Sequence, residues 1–67
     1  MSYIQTIVPE IKKIEQELNE GLDRTPRERE LCRMWLLYHM IANDLSLVQL
    51  RERIWEDSDW VFSQIFD

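Results

Sequence analysis

Apolar and polar positions recur along this chain with the period of a helix rather than that of a strand. From Leu31 to Leu45, LCRMWLLYHMIANDL, an advance of about 100° per residue gathers Leu31, Met34, Trp35, Tyr38, Ile41, Ala42 and Leu45 on one broad apolar face. Leu36 and Met40 fall on roughly the opposite side, with Cys32 between the two. A helix apolar on two sides needs two surfaces to bury against. In a chain of 67 residues, one of those surfaces can come from a second molecule.

The segment before it reads as an amphipathic helix. Ile4, Ile7, Ile11, Ile14 and Leu18 alternate in threes and fours, the seam of a helix pair. Val8 widens the seam. Pro9 belongs in a first turn, where its missing N–H costs nothing, so the regular helix is expected from about Thr6, with residues 2–5 extended, frayed or in a kinked extra turn. Lys12, Lys13, Glu15, Gln16, Glu17 and Asn19 read as a solvated face. The sole glycine, Gly21, stands where a left-handed cap would stop the helix.

Thr25-Pro26-Arg27-Glu28 is the sharpest local signal. Thr25 can cap, Pro26 suits the first helical position, and Glu28 completes a capping box. The stretch Thr25 to Leu31, TPREREL, resembles the opening of the DNA-binding domain of LuxR-type response regulators. The resemblance ends there: the Gly-x-Ser and Ile-Ala pattern that continues that domain is missing, so no function is carried over from it. Ser46 and Gln49 form a second capping box, with Leu45 and Leu50 at the positions of a hydrophobic staple. The following face holds Leu47, Leu50, Ile54, Val61 and Ile65, and Asp57-Ser58-Asp59 can cap a separate last helix.

No period-2 pattern or internal repeat competes with this reading. The expected fold is therefore all-α, a small bundle of three helices, or three plus a short fourth. Its helices run over about residues 6–20, 26–43, 46–56 and 58–66, the last two continuous or broken. The central helix is sandwiched by the others, and the whole is a single domain, expected to be dimeric.

Composition narrows the chemistry. A domain this short is marginally stable unless something adds to its core. With one cysteine and one histidine, neither an internal disulfide nor a Cys/His zinc site is expected, which leaves association. No cofactor or metal is expected. Cys32 and His39 lie two helical turns apart, about 10 Å, too far for a nucleophile and its base, and no other set of reacting groups suggests an enzyme. No export signal or membrane-spanning run is visible, and a lone thiol suits a reducing, cytoplasmic setting.

Formal net charge is −5, concentrated in the last third of the chain. Direct nucleic-acid binding is therefore disfavoured. A helix-turn-helix built from residues 26–42 and 46–56 would also turn Glu52, Glu56, Asp57 and Asp59 toward phosphates. Arg24, Arg27, Arg29 and Arg33 form a local excess of positive charge. They could contact an acidic partner or phosphate, or be neutralised by Asp23, Glu28 and Glu30 as a solvated face.

The C-terminal stretch interleaves Trp55, Trp60, Phe62 and Phe66 with acids. Such aromatics are common binding anchors, and four of them cannot all face one core from one helix. They are the expected partner-binding residues, suited to a protein with a basic surface. The seam Ile4, Ile7, Ile11, Ile14, Leu18, with Leu36 and Met40, is expected to form a core, a dimer contact, or both. The expectation is thus a small acidic regulator that binds and inhibits or modulates a larger protein, plausibly a transcription regulator. A homo-oligomeric assembly module and a helix-turn-helix DNA-binding protein are the alternatives.

Overall fold

A computed structural model describes residues 3–67, with side chains from Gln5 onward. Four helices follow in order: α1 (Tyr3–Leu18), α2 (Pro26–Ala42), α3 (Leu47–Glu56) and α4 (Ser58–Phe66). No strand occurs among the described residues. The fold is all-α.

Helix α1 begins earlier than the proline argued, so Pro9 lies inside it. The Pro9 ring is exposed, and the helix carries it at the cost of one backbone donor. Beyond Leu18 the chain turns through Asn19 and Glu20 to Gly21, whose φ of 79° is a left-handed value open to glycine. The Leu22 N–H donates to the Asn19 carbonyl at 3.0 Å and closes the turn.

Both capping boxes are formed. Thr25 Oγ1 accepts from the Glu28 N–H at 3.1 Å, and Glu28 Oε1 accepts from the Thr25 N–H at 2.8 Å. Ser46 and Gln49 repeat the arrangement at 3.1 and 2.8 Å. Between the two boxes, α2 ends in a Schellman motif. The Leu45 N–H reaches back to the Met40 carbonyl at 2.9 Å and the Asp44 N–H to that of Ile41 at 3.2 Å. Asp44 holds the left-handed position with a φ of 52°. Residues 46–66 are two helices. Asp57 sits between them in non-helical backbone (φ −151°, ψ 79°), and its Oδ1 accepts from the Trp60 N–H at 3.1 Å.

The core is built from all four helices. Ile7, Ile11, Ile14 and Leu18 of α1 meet Leu36 and Met40 of α2, Leu50 and Ile54 of α3, and Val61 of α4. The α1 seam is thus spent inside the chain. Ile4, expected to belong to it, lies outside the described side chains. Leu45 and Leu47 pack on the rim, so the staple around α3 is closed against buried Leu50.

The central helix is not sandwiched on both sides. Its buried side chains are Cys32, Leu36 and Met40. On the broad face Met34, Tyr38 and Ile41 remain 60%, 73% and 55% exposed. Only Trp35, at the edge of that face, and Leu45 beyond the helix pack against the core.

Candidate interaction surface

A charged contact orients α1 on α2. Glu15 follows Ile14 at the flank of the seam and is fully buried, and Asn19, one turn later, is nearly so. Neither is on a solvated face, as the pattern had suggested. Glu15 Oε1 accepts from Arg33 Nη1 at 2.6 Å, and Oε2 accepts from Arg29 Nε and Asn19 Nδ2, each at 3.0 Å. Arg29 and Arg33 stand one turn apart on the Leu36 side of α2, so both reach one carboxylate. Burial pushes the Glu15 carboxyl up. The three hydrogen bonds and the Arg29 charge outweigh it and hold the group below the usual 4.5. Arg29 and Arg33 are therefore paired with Glu15 of another helix rather than with their sequence neighbours Glu28 and Glu30, and the cluster keeps one net positive charge. Arg51 of α3 ties to Glu17 of α1 in the same way, at the surface.

Arg24, in the loop between α1 and α2, meets α4. Its guanidinium lies 4.6 Å from the Phe62 ring centroid and 4.4 Å from that of Phe66, within cation–π range. The two rings lie 6.3 Å apart and are half-buried. This holds the C-terminal end of the chain against the α1–α2 loop. Arg27 stays exposed. A groove of about 260 Å³ runs between Lys12, Gln16, Arg24, Pro26, Arg29 and Arg33.

The two tryptophans of the C-terminal stretch are placed differently from its phenylalanines. Trp55 is 48% exposed and Trp60 43%. Trp60 meets Trp35 and His39 of α2 edge-on, at centroid distances of 6.0 and 6.1 Å. Trp35 and His39 stack on each other at 4.5 Å, nearly parallel. Asn43 Nδ2 donates to the His39 carbonyl at 2.9 Å, and Arg53 Nη1 lies 3.5 Å from His39 Nε2. Burial against these rings, then the Arg53 charge, lowers the His39 pKa below 6.5, so the ring is neutral at pH 7.

Beside this cluster opens a groove of about 600 Å³. Trp60 and His39 supply its aromatic wall, Glu56 and Asp57 its acidic rim, and Asn43 and Arg53 the remainder. Glu52 and Asp59 are exposed close by in sequence. Sequence reasoning missed the part played by His39. Its signal was present in the spacing Trp35–His39, one helical turn, but the partner Trp60 comes from another helix. Cys32 is wholly buried, and desolvation raises its thiol pKa above the usual 9.0. Among the described residues, no group of three or more His, Cys, Asp or Glu is placed to hold a metal ion. None of the helices is long and apolar enough to cross a membrane.

No family model matches the chain, and neither the curated proteins nor the solved structures hold a significant match to it. What it does must be argued from its own surface.

Proposed function

We propose that this chain is a small acidic binding protein that modulates a larger protein by covering a basic face of it. The carrying observation is Trp60, half-exposed at the wall of a 600 Å³ groove whose rim bears Glu56 and Asp57. A large aromatic left in water beside carboxylates is suited to an arginine or lysine side chain. The cation lies over the indole while the carboxylates pair with its head group. Trp55, about equally exposed, precedes the rim residue Glu56 on α3 and is a second aromatic open to a partner. Arg24 already occupies the faces of Phe62 and Phe66, so those rings shape the end of the bundle and contribute less to the docking surface.

The mechanism is occlusion. A target that uses its basic surface for another ligand, such as a transcription regulator that uses it for DNA, loses that surface when the acidic corner is seated on it. The same reading has the protein acting in the cytoplasm as a homodimer. It makes direct DNA binding unfavourable, since α3 presents Glu52 and Glu56 outward and its Arg51 is already paired with Glu17.

The test uses an arginine-rich helical peptide as a stand-in for the target, titrated while tryptophan emission is followed. Binding is expected at low salt and should weaken steeply as the Debye length shrinks. Trp60→Ala should weaken it by about 3- to 30-fold, the range of a cation–π contact. Glu56→Lys should abolish it. No binding at about 20 mM salt, where screening is weak, overturns the proposal. Binding indifferent to Trp60→Ala and Glu56→Lys does so too, as does tighter binding of random duplex DNA under the same conditions.

A further inference from the structure

We infer that the outward face of α2 is a self-association surface, on which a second copy of this chain seats its own α2 antiparallel about a two-fold axis. Leu31, Met34, Tyr38 and Ile41 recur along this face at intervals of three, four and three residues, the spacing of a helix-pairing seam. Three of the four are more than half exposed. The seam faces away from the bundle, and among the described residues none covers Met34, Tyr38 or Ile41.

The shape of the face is self-complementary. Met34 and Tyr38 form a ridge with a hollow on either side. One hollow, of about 390 Å³, continues to Ile41 and Ala42, and the other, of about 370 Å³, to Leu31 and Ile65 of α4. A two-fold axis perpendicular to α2, lying in the interface between the ridge and one hollow, carries the ridge of each copy into that hollow of the other. Residue i then meets j as j meets i, as an isologous contact requires.

Charge selects a second copy as the occupant. Two chains of net charge −5 repel wherever their acidic surfaces meet, which disfavours pairing through α3 and α4. Between Arg33 and Asp44 the sequence holds no Asp, Glu, Lys or Arg. At the open N-terminal end of the face Arg27 and Glu30 cancel. This strip is where two like-charged copies can touch without opposing charge.

Area sets the strength. A helix of 17 residues is about 25 Å long. With α4 alongside, the strip covers roughly 500–600 Å² per copy, about 1,000–1,200 Å² in all, the size of a weak, transient interface. The dimer should therefore be reversible, with a Kd on the order of 10 μM.

Sedimentation equilibrium on the full chain, from about 1 μM to 1 mM to bracket that Kd, tests the inference. The expected result is a monomer–dimer equilibrium, weakened at least 30-fold by Met34→Lys and by Tyr38→Glu, with helical circular dichroism unchanged. Val48→Lys replaces an equally exposed apolar residue on α3 (65% exposed) and should leave the equilibrium alone. A monomer throughout the range overturns the inference. So does a dimer that survives both α2 substitutions, or one broken by Val48→Lys. This interface rests on the homodimer of the proposed function and gives it a contact; Trp60→Ala, which tests the basic-target contact, should not change the mass, so the docking and dimer readings fail separately.

Discussion

Replacing Arg29 and Arg33 together by methionine strands the Glu15 carboxylate in the core. Glu15 Oε1 loses its 2.6 Å bond and Oε2 one of its two at 3.0 Å, leaving Asn19 as the sole donor. Removing the partners of a buried charge costs about 3–5 kcal/mol. The two arginine side chains are 40% and 33% exposed, so water screens their side of the contact and the lower end, about 3 kcal/mol, is expected. A domain of this size has on the order of 3–10 kcal/mol in all. The opposite substitution, Glu15→Met, is far milder. It removes the buried charge itself, and both guanidinium groups can turn into water, so what remains is the nearly buried Asn19 amide left without its acceptor, a cost of about 1 kcal/mol.

Urea unfolding at pH 7, followed by tryptophan emission, separates the two. With a slope near 1 kcal/mol per molar, the double arginine variant should lose about 3 M in midpoint and Glu15→Met about 1 M. The pH dependence must also change sign. In the native chain Glu15 titrates below its unfolded value of 4.5. Its stabilisation is complete above that pH and is lost as pH falls through the lower folded value. Without the arginines, burial dominates and raises the carboxyl, so acidification through the raised value stabilises the variant instead. Equal losses in the two variants, or an unchanged sign, would refute the claim that Glu15 is a buried charge held by α2.

Four further outcomes follow from single residues. His39 has a folded pKa below 6.5, so stability should fall as pH drops from about 6.5 through that value; His39→Phe, which keeps the stack on Trp35, should flatten this part of the urea-midpoint profile. Gly21→Ala should cost about 1 kcal/mol in urea melts through backbone strain alone, because a Cβ there meets nothing within 4 Å. Asp44→Gly, at the other left-handed cap, should gain about 0.5–1 kcal/mol in the same assay. Cys32, buried and with its thiol pKa raised, should react with a thiol reagent only as fast as the chain opens, so its labelling rate should rise in step with urea.

The helices were legible because their signals are local. A capping box needs four residues, a staple six, and the apolar period of α1 declares itself within two turns. Pro9 misled for the same reason: the first-turn rule is local, whereas the start of α1 depends on packing that the rule does not contain. The candidate surface was only half legible. That four C-terminal aromatics could not share one core followed from helix geometry. Which of them stay exposed depended on Arg24, a loop residue that covers Phe62 and Phe66 and leaves the tryptophans out. The role of Trp35 and His39 as the platform that Trp60 meets lay in a neighbour 25 and 21 residues away.

The inward face of α2 was the least legible feature, and the reason is electrostatic. By apolar content alone, the broad face of Leu31, Met34, Tyr38 and Ile41 is the better surface for the α1 seam, and the narrow one of Leu36 and Met40 the worse. But Glu15 and Asn19 flank that seam and must be buried with it. Set against the broad face, the Glu15 carboxylate would lie among Met34 and Tyr38 without the two arginines one turn apart that the other face supplies, a cost of several kcal/mol. Set against the narrow face, it meets Arg29 and Arg33, one turn apart and on the same side as Leu36. A pairing over 14 and 18 residues leaves no trace in the periodicity of either helix. It nevertheless determines which side of α2 closes the core, and therefore which large apolar side chains are left in water. The buried ion cluster and the exposed Met34–Tyr38 ridge are two consequences of one docking choice. Shifting that choice, as Glu15→Met would permit, should begin to make the two faces of α2 interchangeable.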